Sequence, residues 1–207
     1  MSNREIMDHE TYENAMEPEF FNDEMGLTSM DWQRIRAWNQ SQPECISSCI
    51  HSLIQLHVES RPEALAVCAW DGCFTYQELD RISSSIALKL VQRGVLLHSY
   101  VPMCLERSKW VPVVMISVMK AGAAVVPLDP TQPVHRLQEI LLEVEARLVV
   151  TSSRCAALFS EDSHIIPFLV DHSIPMEVGE GTLPLLSPTD AALVMFTVSV
   201  LFTANAT

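Results

Sequence analysis

An α/β fold with a largely parallel sheet flanked by helices is what this sequence predicts, and three observations carry the prediction. Short runs rich in valine, such as Val101–Leu105 and Ala123–Leu128, alternate with stretches whose apolar residues recur every three or four positions. Between Val101 and Thr151 the order reads strand, helix, strand, helix, strand. The intervening helices are long enough to carry the chain back to the end of the sheet where it started, which parallel neighbours require.

The chain opens on a segment of different character. Residues 1–31 hold nine carboxylates, from Glu5 to Asp31, against the single base Arg4, and predict a solvated, mobile leader. Trp32, Ile35 and Trp38 form one short apolar stripe at helical spacing, expected to dock on the domain behind it. We therefore expect a leader and linker over 1–44 and a folded domain over 45–197. The first helix of that domain is expected around Ile50, Leu53, Ile54, His57 and Val58, with His57 on the apolar face as a packed core residue.

Leu65–Trp70 and Cys73–Thr75 predict a hairpin, with Asp71-Gly72 as its tight turn. Thr75-Tyr76-Gln77-Glu78 has the form of a capping box, so a helix starts there. Its buried stripe is expected at Leu79, Ile82, Ser83, Ile86, Leu90 and Val91, and Gly94 is placed to end it. After the strand at Val101–Leu105, a helix over Ser108–Lys120 tolerates Pro112 only near its first turn.

Met119–Pro130 then forms a helix-to-strand corner. Gly122 takes a left-handed helix end, Lys120 suits the negative end of the helix dipole, and Pro127 and Pro130 stop the strand. Beyond it, a helix from Pro133 presents Leu137, Ile140, Leu141 and Val144, and Arg147–Thr151 is extended. Ile165–Val170 is expected as a further strand, Pro184–Pro188 as a surface loop and Ala191–Thr197 as an extended segment leading to a site at its carboxyl end.

Composition narrows the functional classes. An apolar fraction of 48% over 207 residues supports a globular domain with a core, and the formal net charge of −13 excludes nucleic acid and anionic membrane as expected partners. The run from Val111 to Leu128 contains one charge, yet Pro112, Lys120, Gly122 and Pro127 divide it into pieces shorter than a membrane span. Without a basic stretch followed by an apolar core at the start, no secretory signal is read and a cytoplasmic protein is expected. The six cysteines match neither a disulfide framework nor zinc knuckles, so reduced thiols are expected. Cys45, Cys49 and His51 lack a complementary fourth ligand.

Three landmarks in order resemble the N-terminal part of an adenylation domain from a nonribosomal peptide synthetase of the fungal multimodular type. Phe74-Thr75-Tyr76-Gln77-Glu78-Leu79 resembles the first core motif, Met119–Pro130 the second, and Ala191–Thr197 the strand entering the third. The resemblance spans about residues 27–197 and implies the large domain of the adenylate-forming enzymes, in incomplete form. It also implies an activity: ATP and Mg2+ convert an amino acid to its acyl-adenylate, which is then loaded on the phosphopantetheine of a carrier domain. Such chemistry needs a cradle of backbone amides and a cation at the developing negative charge.

The family's Ser/Thr/Gly-rich phosphate loop would begin at Thr197. Here Val198–Thr207 follows instead, a tail outside the family pattern, and no lysine or arginine occurs after Arg154. Only Thr197 carries over, as the stub of the phosphate loop, its alternative being a terminal strand residue. The expectation is a fragment truncated before that loop, without adenylation activity of its own and prone to self-association through uncovered core. The other readings are a non-catalytic interaction protein and a fragment of an acyl- or aryl-CoA ligase. Upstream, Asp129 is read as a turn former, His135 and Arg136 as a solvated helical face, and Ser108 as unsupported by any triad.

Overall fold

The computed structural model describes residues 28–40, 46–160, 164–171 and 180–196. The chain divides into two compact units at Ile46/Ser47. The first holds one described helix, α1 (Ser29–Asn39), begun by a capping box in which Thr28 and Asp31 exchange hydrogen bonds.

The second unit carries the α/β architecture. Helix α2 (Ile50–Ser60) leads to the hairpin β1 (Leu65–Ala69) and β2 (Gly72–Thr75), and then to α3 (Tyr76–Gln92). Strand β3 (Tyr100–Cys104), helix α4 (Trp110–Lys120), strand β4 (Ala124–Leu128), helix α5 (Val134–Glu143) and strand β5 (Leu148–Thr151) follow. A 3-10 turn at Ala156–Phe159, which the sequence reading did not anticipate, precedes strand β6 (Ile166–Leu169). The larger sheet runs β4-β3-β5-β6, with every pairing parallel, and the hairpin stands apart from it as a two-stranded antiparallel sheet.

Local chemistry accounts for the elements. The Thr75 hydroxyl accepts from the Glu78 amide, and the Glu78 carboxylate accepts from the Thr75 amide at 2.8 Å, so the expected capping box starts α3. Leu79, Ile82, Ser83, Ile86 and Leu90 are buried as expected, and Ser85, Ala87 and Leu88 are buried too. Part of the reason is the segment near Gly181, which runs close against Leu88. Val125, Val126, Val149 and Val150 are fully buried, because helices cover the sheet on both faces. One apolar cluster joins α3, α4 and the sheet through Ile86, Val113 and Val125, and a second joins α5 to the sheet through Leu137, Leu141 and Val149. The former membrane candidate resolves into α4 and β4, and no helix among the described residues is long and apolar enough to cross a membrane.

Three successive helices end the same way. At Gly94, Gly122 and Glu145 the backbone turns to φ of 89°, 84° and 51°, and the following residue (Val95, Ala123 or Ala146) donates its amide to a carbonyl five positions back. This is the Schellman arrangement, which glycine adopts without a Cβ penalty. Glu145 occupies it with a side chain. Replacing Glu145 with Gly is therefore expected to raise unfolding stability by about 0.5–1 kcal/mol, the relief of left-handed strain exceeding the added chain entropy. Urea denaturation checks this; an unchanged or lower midpoint would show that the strain is absent.

Two expectations need correction. His57 is exposed, because the far end of α2 projects beyond the core; its ring lies 5.4 Å from that of Tyr76 at the surface. The hairpin turn lies one residue earlier than Asp71-Gly72. Ala69 pairs with Gly72, so Trp70 and Asp71 make the turn, and Gly72 closes it at φ 125°.

Candidate functional site

In a parallel sheet the strand ends at the carboxyl edge point their following loops the same way, and sites collect there. In this protein β3, β4 and β5 deliver Glu106 and Arg107, Asp129 and Thr131, and Ser152 to Cys155 to that edge. A fourth extended segment joins them. Val125 donates its amide to the Ala192 carbonyl and accepts from the Val194 amide, a parallel bridge that brings Leu193 alongside β4. Of the extended segment expected at Ala191–Thr197, the described residues 191–196 carry a single bridge, at Leu193.

Pro127 explains why the bridge is so short. Backbone N–H groups two residues apart on a strand point the same way, and Val125 points outward to Ala192. At Pro127 the next outward donor is missing, so the ladder stops.

Each loop is held by its own hydrogen bonds. The Asp129 carboxylate accepts from the Thr131 amide at 2.9 Å and hydroxyl at 2.7 Å; these bonds, with a smaller contribution from Arg107, hold its carboxyl below the usual range. The turn-forming role expected of Asp129 is what the geometry contains. Burial pushes the Glu106 carboxyl up, but hydrogen bonds from Ser152 and from its own amide, and the charge of Arg154, bring it below its ordinary value. Arg154 Nε lies 4.0 Å from Glu106. Behind them Thr151 donates its hydroxyl to the Cys104 carbonyl, tying β5 to β3. Burial first, and then the neighbouring Cys155, push the Cys104 thiol up to about 12, so it is an inert core thiol.

The hairpin reaches over to brace this edge. Trp70 donates its indole N–H to the Arg107 carbonyl at 2.6 Å, and Asp71 accepts from the amide of Lys109, the N-cap residue of α4, at 2.9 Å. The Lys109 ammonium lies 4.6 Å from the Phe74 ring centroid, and Phe74 meets Trp110 edge-on.

The remaining candidates are in structural roles. His135 is exposed, Arg136 pairs with Glu139 one helical turn away, and the Ser108 hydroxyl accepts from the Trp110 amide. No cluster of metal-ligating groups occurs among the described residues; Cys45 and Thr197 lie outside them. A cleft of about 100 Å³ opens at the opposite, amino edge, lined by Cys49, His51, Met119, Gly122 and Asp190 among others. Burial and the nearby Lys120 charge lower the His51 pKa, which favours the neutral imidazole.

Sequence reasoning missed the most connected polar group. Lys120 does not merely face the helix dipole. Its ammonium donates to the Asp80 carboxylate at 2.6 Å and to the Ser83 and Ser84 hydroxyls at 2.9 Å each, fastening α4 to α3.

Comparison with known proteins places this scaffold. The chain is 42% identical over 173 residues to the nonribosomal peptide synthetase TES of Alternaria alternata, covering 83% of this chain and 3% of that protein. It is 40% identical over 178 residues to the nonribosomal peptide synthetase otaB of Aspergillus carbonarius, covering 84% of this chain and 9% of that protein. The chain therefore spans less than a tenth of these curated relatives. Among solved structures, the synthetase FmoA3 (S1046A) in its AMPPNP-bound form matches with a TM-score of 0.72 at 23% identity, over 83% of this chain and 18% of that one. The N-terminal subdomain of Klebsiella oxytoca NpsA, in complex with 3-hydroxybenzoyl-AMSN, matches at 0.63 and 21%, over 74% of this chain and 39% of its own. These likenesses bear out the α/β fold and the resemblance to peptide synthetase adenylation domains. Because the AMP-binding enzyme family matches residues 54–198, the larger part of its length, the chain belongs to that family.

Proposed function

We propose that residues 47–196 are scaffold from an adenylation unit of a nonribosomal peptide synthetase. In the intact unit an amino-acid carboxylate attacks the α-phosphorus of ATP, assisted by Mg2+, to give an aminoacyl-adenylate and pyrophosphate. The acyl group then passes to the phosphopantetheine thiol of a carrier domain. The observation that carries this reading is the convergence of β3, β4, β5 and the Leu193 segment on one carboxyl edge, in a chain of the AMP-binding family. The relatives, which are peptide synthetases, favour this over an acyl- or aryl-CoA ligase.

The described residues do not themselves fit a triphosphate. A phosphate cradle needs approachable backbone amides, usually from glycine, beside a fixed cation. Gly94 and Gly122 end helices at the amino edge, Gly181 lies against Leu88, and Gly72 closes the hairpin turn against Lys109. Arg107 and Arg154 at the carboxyl edge are exposed, and Arg154 faces a carboxylate. No catalytic step is therefore assigned to these side chains; their role is to hold strand ends.

The purified chain is accordingly expected to show amino-acid-dependent ATP–pyrophosphate exchange at background. Exchange well above background would overturn the scaffold reading. A chimera in which residues 47–196 replace the matching stretch of the Aspergillus carbonarius relative is expected to retain exchange. A folded, soluble but inactive chimera would remove the assignment to an adenylation unit. Self-association belongs to the same reading: Leu185, Trp70, Leu142 and Met195 are largely exposed, and light scattering that gives a monomer at all concentrations would count against it.

A further inference from the structure

Cys68 and Cys73 are cross-strand partners in the β1–β2 register, and both side chains are exposed. Their sulfurs lie 2.8 Å apart. Directly opposed strand residues have Cα atoms about 4.5–5.5 Å apart, within the span a disulfide bridges. The bond length of about 2.05 Å then needs the two sulfurs to approach by less than about 1 Å. The buried pair Cys104 and Cys155 has no such access.

We propose that Cys68 and Cys73 form an oxidation site, a vicinal dithiol of the hairpin that closes to a disulfide and fixes the grip of the turn on the Arg107–Lys109 loop. The oxidant is a low-molecular-weight disulfide such as oxidised glutathione. Both sulfurs are exposed and either can attack first, Cys68 or, in the sequence of steps that follows, Cys73. It gives up its proton and attacks one sulfur of oxidised glutathione, releasing one glutathione thiolate and leaving a mixed disulfide on Cys73. Cys68 then loses its proton and attacks the Cys73 sulfur, expelling the second glutathione. Two protein thiols are oxidised, one glutathione disulfide is reduced to two glutathiones, and the two protons end on those thiols.

The reach of this bond follows from the hairpin's contacts. Trp70 and Asp71, the two turn residues, donate to and accept from the loop after β3, and they lie inside the ring that the disulfide closes. A stapled turn opens less often, and the loop bearing Arg107 and the start of α4 opens with it.

The full chain is treated with oxidised glutathione, quenched with an alkylating agent, digested and analysed by mass spectrometry. The expected result is a Cys68–Cys73 cross-link with Cys104 and Cys155 alkylated only after unfolding. Cys68→Ser is expected to accumulate stable glutathione on Cys73, and hydrogen exchange of oxidised wild type is expected to slow by about tenfold in the hairpin and at Lys109. Separate, unresolved glutathione adducts on both residues of the wild type would overturn the dithiol. A cross-link that slows the hairpin but leaves Lys109 unchanged would overturn its effect on the loop. Cys73→Ser, which keeps hairpin size and polarity, controls for folding: its unfolding midpoint is expected to match that of reduced wild type.

Discussion

Replacing Gly122 with alanine is expected to cost about 3 kcal/mol of stability. The residue sits at φ 84°, where a side chain costs about 1–2 kcal/mol. The added Cβ would also lie 2.6 Å from Leu97 Cδ1, 3.0 Å from Pro184 Cγ and 3.2 Å from Leu186 Cδ2, and overpacking of this kind costs about 1–3 kcal/mol. Leu97 can rotate away, but Pro184 cannot. The Gly122 carbonyl also accepts from the His98 amide at 2.7 Å, so a shift of the corner disturbs the approach to β3. Equilibrium urea unfolding measures the loss. A loss under about 1 kcal/mol would mean that the Pro184–Leu186 segment does not pack on this corner.

The second large effect concerns Lys120 and is asymmetric. Removing the carboxylate with Asp80→Ala leaves a buried ammonium without its counter-charge and is expected to cost about 2–3 kcal/mol, short of the full penalty because two serine hydroxyls and the exposure of Asp80 remain. Lys120→Met removes the ammonium, fills its volume with apolar atoms and leaves Asp80 able to meet water, so its cost is expected within about 1 kcal/mol. Equal losses in the two variants would refute the buried-charge account.

The pH dependence follows with a definite sign. Burial, only partly offset by Asp80, lowers the Lys120 pKa. A base depressed on folding binds fewer protons folded than unfolded in the window between its two pKa values, so its unfavourable contribution is complete below the folded value and fades as pH rises toward the ordinary lysine value. Stability in that alkaline window is expected to rise more steeply with pH in Asp80→Ala than in wild type, and Lys120→Met is expected to lack this contribution.

What the sequence disclosed was local. The Thr75–Glu78 box, the helix ends at Gly94 and Gly122, and the valine runs of β4 and β5 each state their chemistry within a few residues, and the α/β order followed from them. What it withheld depends on residues brought together by folding. Lys120 meets Asp80 across two helices, and Trp70 finds the Arg107 carbonyl from another sheet. Cys68 and Cys73 are near in sequence, yet their pairing depends on a turn centred on Trp70 and Asp71 rather than Asp71 and Gly72. His57 kept helical periodicity after the core beneath α2 had ended, so spacing alone assigned it to the interior. Glu145 adopts a left-handed helix end that no glycine advertises. Of the site, Asp129's turn role was legible in its proline-flanked setting, whereas the Glu106–Ser152–Arg154 arrangement joins two strand ends and has no sequence signature.

The interruption at Pro127 also sets an order of events. Val125 and Leu193 are distant in sequence, and their bridge must close a long loop for the return of two backbone hydrogen bonds. Pairings of high sequence separation and small enthalpy form late in folding and open early. The segment at Ala192–Val194 therefore behaves as a latch on a sheet that is already assembled: the registers of β3, β4 and β5 are set by their own pairings, while its placement rests on Val125 of β4.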